Sequence, residues 1–165
     1  MSAREILGSV PFFREALDDK ELVLLADHAR EHKLEKGEAL IAEDRPGHSM
    51  FVVVAGEVEV TLKDDTDPVA KLEKGAIVGE MSLLTGSPRN ATVTALSDVE
   101  VLEVDKAALA NVLWMSPDLV GRFVEMLFRR QGELDRAAGG LAWGTMRPGK
   151  AELTEMIENF YQRTE

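Results

Sequence analysis

Cysteine is missing from all 165 residues. Disulfides and thiolate metal sites are therefore excluded, in keeping with a reducing, cytoplasmic setting. No apolar run approaches the ~18 residues that a membrane-spanning helix needs, and Met1-Ser2-Ala3-Arg4-Glu5 has none of the apolar core of a signal peptide. A soluble chain with no direct membrane insertion is expected. Positive charge is scarce, with 19 Lys and Arg against 30 Asp and Glu, a formal net charge of −11. Such a surface repels phosphate backbones, and nucleic-acid binders normally carry a basic face. Arg129-Arg130 and scattered lysines do not make one, so a nucleic-acid partner is disfavoured. Any anionic ligand must be held by local geometry rather than by the overall field.

At this length the chain is one domain with a small appendage, large enough to bury a core without staples. Residues 3–8 predict a short helix, which Pro11 breaks, leaving Phe12 and Phe13 to dock on a core. Asp18 or Asp19 caps a second helix over 20–29, with Leu22, Leu25, Ala26 and Ala29 on one face. From His32 to Asp105 the pattern changes to short β-branched runs between turn clusters. The strands read as 50–54, 57–62, 69–72, 91–95 and 100–104, and turn signals at this spacing mark a sandwich or jelly roll. Asp105 then caps a helix over 106–114. Ser116-Pro117-Asp118 restarts the chain as another, running to Ala138 with Leu119, Val120, Phe123, Met126, Leu127 and Leu134 in one stripe. Gly139-Gly140 ends it. After the Pro148-Gly149 break, residues 150–163 carry Leu153, Met156, Ile157 and Phe160 at helical spacing. The fold class is thus α+β, mainly β: a roll over 32–105 between helices at 3–29 and 106–138. These make one domain over 1–140 with a helical extension over 141–165.

One stretch asks for a ligand. Gly79-Glu80-Met81-Ser82-Leu83-Leu84 lies between two predicted strands and is followed by Thr85-Gly86-Ser87-Pro88-Arg89-Asn90-Ala91. Gly79 lets backbone approach a bound group, and a helical turn starting near Met81 aims unpaired N–H groups at it, a ready anion site. Arg89 brings a planar fork of donors suited to phosphate oxygens. Glu80, an acceptor only, seeks hydroxyl or N–H donors. An anion-seeking group beside a hydroxyl-seeking one describes a sugar phosphate.

This spacing resembles the phosphate-binding cassette of the cyclic nucleotide-binding domain family, which reads G-E-aliphatic-small-L, a variable piece, then P-R-small-A. Val78 and Asn90 depart from it, standing where an aromatic and a small residue are usual, which weakens any guess at the preferred purine. The resemblance implies a jelly roll closed by a lid helix, with cAMP or cGMP as ligand and no other cofactor. It places Glu80 on the ribose 2′-hydroxyl and Arg89 on the cyclic phosphate. The backbone N–H groups of Glu80, Met81 and Ser82 assist, together with Asn90 and Ala91, and Val60, Val69 and Met81 neighbour the purine and sugar. Arg130 stands where bacterial cyclic-nucleotide-gated potassium channels carry a base-contacting arginine on the lid; its bland reading is a solvated face near a helix C-terminus. The extension is too short for the winged-helix DNA reader of the catabolite-activator branch.

The implied function is a non-catalytic receptor that signals through lid closure to an attached or partner effector not encoded here, an ion channel among the candidates. The rival is a degenerate roll that docks or dimerises without binding nucleotide. The stripe of the extension is expected to pack back on its own domain. The alternatives are a partner or a second copy of the chain, with Trp143 stacked on the purine as a third. Metal chemistry is not expected. Asp64, Asp65 and Asp67 lack the glycine and distal glutamate of an EF-hand, and His28, His32 and His48 include no H-x-H pair on a strand.

Overall fold

The computed structural model describes residues 2–63, 67–129 and 149–162. The chain opens with three helices, α1 (Ala3–Gly8), α2 (Pro11–Arg14) and α3 (Asp19–Asp27). Ser2 and Asp18 cap α1 and α3 in reciprocal boxes with Glu5 and Glu21, each satisfying two end donors. Pro11 does more than end α1. It occupies the first turn of α2, where its missing N–H costs nothing and its fixed φ suits a helix. Phe12 and Phe13 are buried as expected, Phe12 lying 5.4 Å from Phe123 between ring centroids.

Among the described residues eight strands follow: β1 (Arg30–Leu34), β2 (Ala39–Ile41), β3 (Ser49–Ala55), β4 (Val58–Thr61), β5 (Ala70–Leu72), β6 (Ile77–Val78), β7 (Thr92–Ala95) and β8 (Val99–Asp105). They form two antiparallel sheets of order β1-β8-β3-β6 and β2-β7-β4-β5. Strands β4 and β7 alternate buried and half-buried positions, the signature of a sheet with one wet face. Strand β3 is buried along nearly its whole length because it serves two cores. Phe51 and Val53 face the interior between the sheets, with Val60, Val93, Val99 and Val101. Met50 and Val52 face the helices, with Leu102, Val104, Leu109 and Phe123. That double burial is why Met-Phe-Val-Val-Val reads as a continuous apolar run.

Between β6 and β7 sits α4 (Glu80–Thr85). Beyond β8 come α5 (Lys106–Met115), capped by Asp105, and α6 (Leu119–Arg129). Ser116 closes α5 rather than capping α6, so α6 starts two residues past Pro117. The expected course of that helix to Ala138, and with it Arg130 and Trp143, lies outside the described residues. Helix α6 is tied to α3 by Arg122, whose guanidinium bonds both carboxylate oxygens of Glu21, at 2.9 and 2.7 Å, and the Ala16 carbonyl at 2.8 Å.

The last helix among the described residues, α7 (Lys150–Phe160), packs back on α4 and α6, with Leu153 and Ile157 fully buried. The Tyr161 phenol donates to the Leu83 carbonyl of α4, and burial, helped by the Asp105 charge, pushes that phenol well above its usual range. Tyr161→Phe leaves a buried carbonyl without its donor. It is expected to cost about 1–3 kcal/mol of stability, read as a lowered urea midpoint with unchanged slope.

Candidate functional site

Gly79 enters α4 at φ +84°, a conformation that L side chains rarely adopt, and Gly86 leaves it at φ +72°. The first helical bond of α4 runs from the Leu83 N–H to the Gly79 carbonyl at 3.1 Å, so the amides of residues 80–82 stand at the helix start, ahead of that bond. Glu80, the first residue of α4, is 2% exposed. The Ser82 hydroxyl donates to the Ser87 carbonyl at 2.8 Å and Thr85 Oγ1 lies 2.6 Å from Ser87 Oγ. These bonds hold the loop that returns the chain to Arg89.

Arg89 is positioned by backbone first. Its N–H donates to the Arg45 carbonyl at 2.9 Å, and its carbonyl accepts from Asp44 at 2.8 Å. Residue 89 is thereby fixed against the turn between β2 and β3. The side chain, in a residue 8% exposed, runs between two glycines. A Cβ on Gly47 would stand 2.3 Å from Arg89 Nε, and one on Gly79 would stand 2.4 Å from Nη1. Only glycine leaves room for the guanidinium on both sides. At its tip Nη1 donates to the Ser49 carbonyl at 2.6 Å and Nη2 to Ser49 Oγ at 3.2 Å, while Cζ lies 5.9 Å from the Phe51 ring centroid. Burial lowers the Arg89 pKa; the charges of Glu103 and Glu80 oppose that shift. The fold thus sets Arg89 and Glu80, nine positions apart in sequence, in one electrostatic neighbourhood with both residues buried.

The other predicted residues divide. Val60 is 2% exposed and Ala91 4%, both in the interior between the sheets. Val69 lies just before β5, 39% exposed, its N–H on the Val60 carbonyl at 2.8 Å. Asn90 is exposed. Met81 packs against the helical core rather than the roll interior, so its side chain faces away from Val60 while its amide stays at the α4 start. No group of three or more His, Asp or Glu among the described residues is placed to hold a metal ion. Sequence reasoning missed Gly47 and Ser49, which lie 40 or more positions from Arg89. It also missed Glu103, whose signal was present: a charge in step with Val99 and Val101 on the inward face of a strand.

The family model described as "Cyclic nucleotide-binding domain" matches residues 31–114, a span containing the whole of this site and more than half of the chain. The chain belongs to the cyclic nucleotide-binding domain family. A cAMP-dependent protein kinase regulatory subunit of Colletotrichum orbiculare is 33% identical over 109 residues, covering 66% of this chain and 28% of its own length. A cyclic nucleotide-gated potassium channel of Mesorhizobium japonicum is 31% identical over 128 residues, covering 78% of this chain and 35% of its own length. The chain therefore spans about a third of such relatives. Among solved structures, the N-terminal domain of a transcriptional regulator from Streptomyces coelicolor A3(2) superposes with a TM-score of 0.66 at 30% identity, over 80% of this chain and 94% of that one. Two antiparallel sheets flanked by helices are what a cyclic nucleotide-binding jelly roll requires, and the fold expected from the sequence is the fold observed.

Proposed function

We propose that this cyclic nucleotide-binding domain is a non-catalytic receptor for cAMP or cGMP, in which Arg89 holds the cyclic phosphate and Glu80 the ribose. The observation that carries the reading is the burial of an arginine and a glutamate together, where α4 meets the roll, inside the segment that matches the family. Ser49 takes one N–H from each terminal nitrogen of Arg89, which leaves the rest of the fork for a ligand. The amides of Glu80, Met81 and Ser82, with Asn90 and Ala91, supply further phosphate contacts, and Val60 and Val69 the apolar wall beside the purine. Output passes along the helix that begins with α6, with Arg130 on the base when the lid closes. A ligand shifts such an equilibrium only by its differential affinity for the two states. One charge-assisted contact of about 1.5–3 kcal/mol that exists only in the closed state is enough to signal. The effector is an attached or partner protein, of the kinase or channel type that the relatives' names suggest.

The test is thermal or urea unfolding with each nucleotide. Ligand at about 100 times its dissociation constant stabilises by roughly 2.7 kcal/mol, and calorimetry with cAMP and cGMP then ranks the purines. No stabilisation by either nucleotide would make the chain a docking or dimerisation module instead.

A further inference from the structure

We infer that Glu103, tethered by His32, is the counter-charge of Arg89 when no ligand is bound and that it sets the affinity for the cyclic phosphate. This inference rests on the receptor reading of Arg89 but concerns two residues to which that reading gives no role. Glu103 stands on β8 directly opposite Phe51 of β3, and Phe51 belongs to the interior cluster. His32 of β1 pairs with Val101, two residues from Glu103 along the same face, and its Nε2 meets Glu103 Oε1 at 2.8 Å. The His32 ring approaches the Phe51 ring at 6.4 Å between centroids, and the Arg89 guanidinium lies 5.9 Å from the same ring. Three polar side chains thus surround one aromatic ring at the inward face of the β1-β8-β3 sheet. Of the opposing charges acting on Arg89, Glu103 is the larger and Glu80 the smaller. The next ion pair along the strands, Arg30 with Asp105 at 3.7 Å, closes on itself.

The arrangement has two consequences. A buried guanidinium is costly unless an opposite charge lies near, so Glu103 stabilises the empty state. A phosphate arriving at Arg89 brings a second negative charge into the field of that carboxylate, and repulsion then weakens the complex. Both effects oppose binding. The His32 bond limits them, because it holds Glu103 beside the ring and keeps it from turning onto the guanidinium as a direct competitor of the ligand. His32 and Glu103 are therefore positioning residues with opposite signs.

The test is calorimetry with cAMP and cGMP on the full chain carrying Glu103→Gln or His32→Ala. Glu103→Gln is expected to bind roughly three- to tenfold tighter than the unmodified chain, since the repulsive charge is gone. His32→Ala is expected to bind more weakly by a similar factor, since the released carboxylate moves onto Arg89. A purely structural role would weaken binding in both variants. Equal affinities, or shifts of the same sign, overturn the inference. If the unmodified chain binds neither nucleotide, the receptor reading fails by itself, and the counter-charge is still decided on the ligand-free protein. Urea midpoints of Arg89→Met, Glu103→Gln and the double variant must then show coupling, and simple additivity overturns it.

Discussion

Arg89→Ala is expected to weaken cyclic nucleotide binding roughly thirty- to a thousandfold, about 2–4 kcal/mol, the cost of removing a charged partner from a desolvated anion. The magnitude follows from where the side chain sits. Arg89 is buried between Gly47 and Gly79 with its tip on Ser49, so no mobile lysine or arginine can move into the same channel. The same geometry adds a second effect. Alanine leaves the Ser49 carbonyl without the donor now 2.6 Å away and opens a void along the channel, so folding stability should fall by about 1–3 kcal/mol as well. Calorimetry measures the first effect and urea unfolding the second. Arg89→Lys separates charge from geometry: it keeps a cation but loses the fork, and binding should recover only in part. Glu80→Gln should weaken binding less than Arg89→Ala, because an amide oxygen still accepts from a hydroxyl. Affinity retained in Arg89→Ala would place the phosphate elsewhere and end the assignment of residues 79–91 as its cradle.

The readable part of this site was local. Gly79, Glu80, Pro88 and Arg89 are close in sequence, and each carries a backbone or charge property that a short segment reveals. The cassette helix was expected near Met81 and observed from Glu80. The partners of the cassette were not readable, because they come from distant chain. Ser49 is 40 positions from Arg89 and Tyr161 is 78 from Leu83. Nothing in Pro46-Gly47-His48-Ser49 announces more than a turn. The fold divides the same way. Strand β3 and the alternation in β4 stood out because burial imposes them. Strand β1, Arg-Glu-His-Lys-Leu, is exposed at all but its last residue, so no apolar period marks it and its start fell two residues ahead of the expected roll. Strands β2 and β6 have three and two residues, too few for any period to show. The apolar stripe of 150–163 announced a buried face, but only the fold shows that face resting on the cassette helix.

That contact gives the C-terminal helix a mechanical bearing on the site. Gly86 ends α4 with Phe160 so close that a Cβ would stand 2.4 Å from the ring, and Lys106 Nζ lies 4.1 Å from the centroid of that ring. Any movement of α4 must therefore displace α7 or be resisted by it, because packed interfaces switch between arrangements rather than stretch. Helix α7 also rests on α6, where Lys150 meets Glu125 at 3.2 Å. Helix α7 thus contacts both α4 and α6.

The far end of that assembly is anchored by Glu21 and Arg122, and their pair carries the other large expected effect. Glu21 is 7% exposed, and its carboxyl is held down from 4.5 to about 2, first by the Arg122 hydrogen bonds and then by the bond within the α3 cap, against the opposing cost of burial. A carboxyl whose folded pKa lies below its unfolded one stabilises the protein above the unfolded pKa, and that stability is lost as pH falls. The window runs from about pH 4.5 down to about pH 2, and the full contribution is about 3 kcal/mol, on the order of 1.4 kcal/mol for each unit of the shift. Urea unfolding from neutral to acid pH should therefore show Glu21→Gln less stable at neutral pH, with the gap to the unmodified chain closing toward pH 2. The difference between the two profiles reads the Glu21–Arg122 pair. Arg122→Met should be the harsher change at neutral pH, about 3–5 kcal/mol, because it leaves a buried carboxylate without its cation. Parallel profiles for Glu21→Gln and the unmodified chain would show that ionisation of Glu21 contributes nothing to stability in this window.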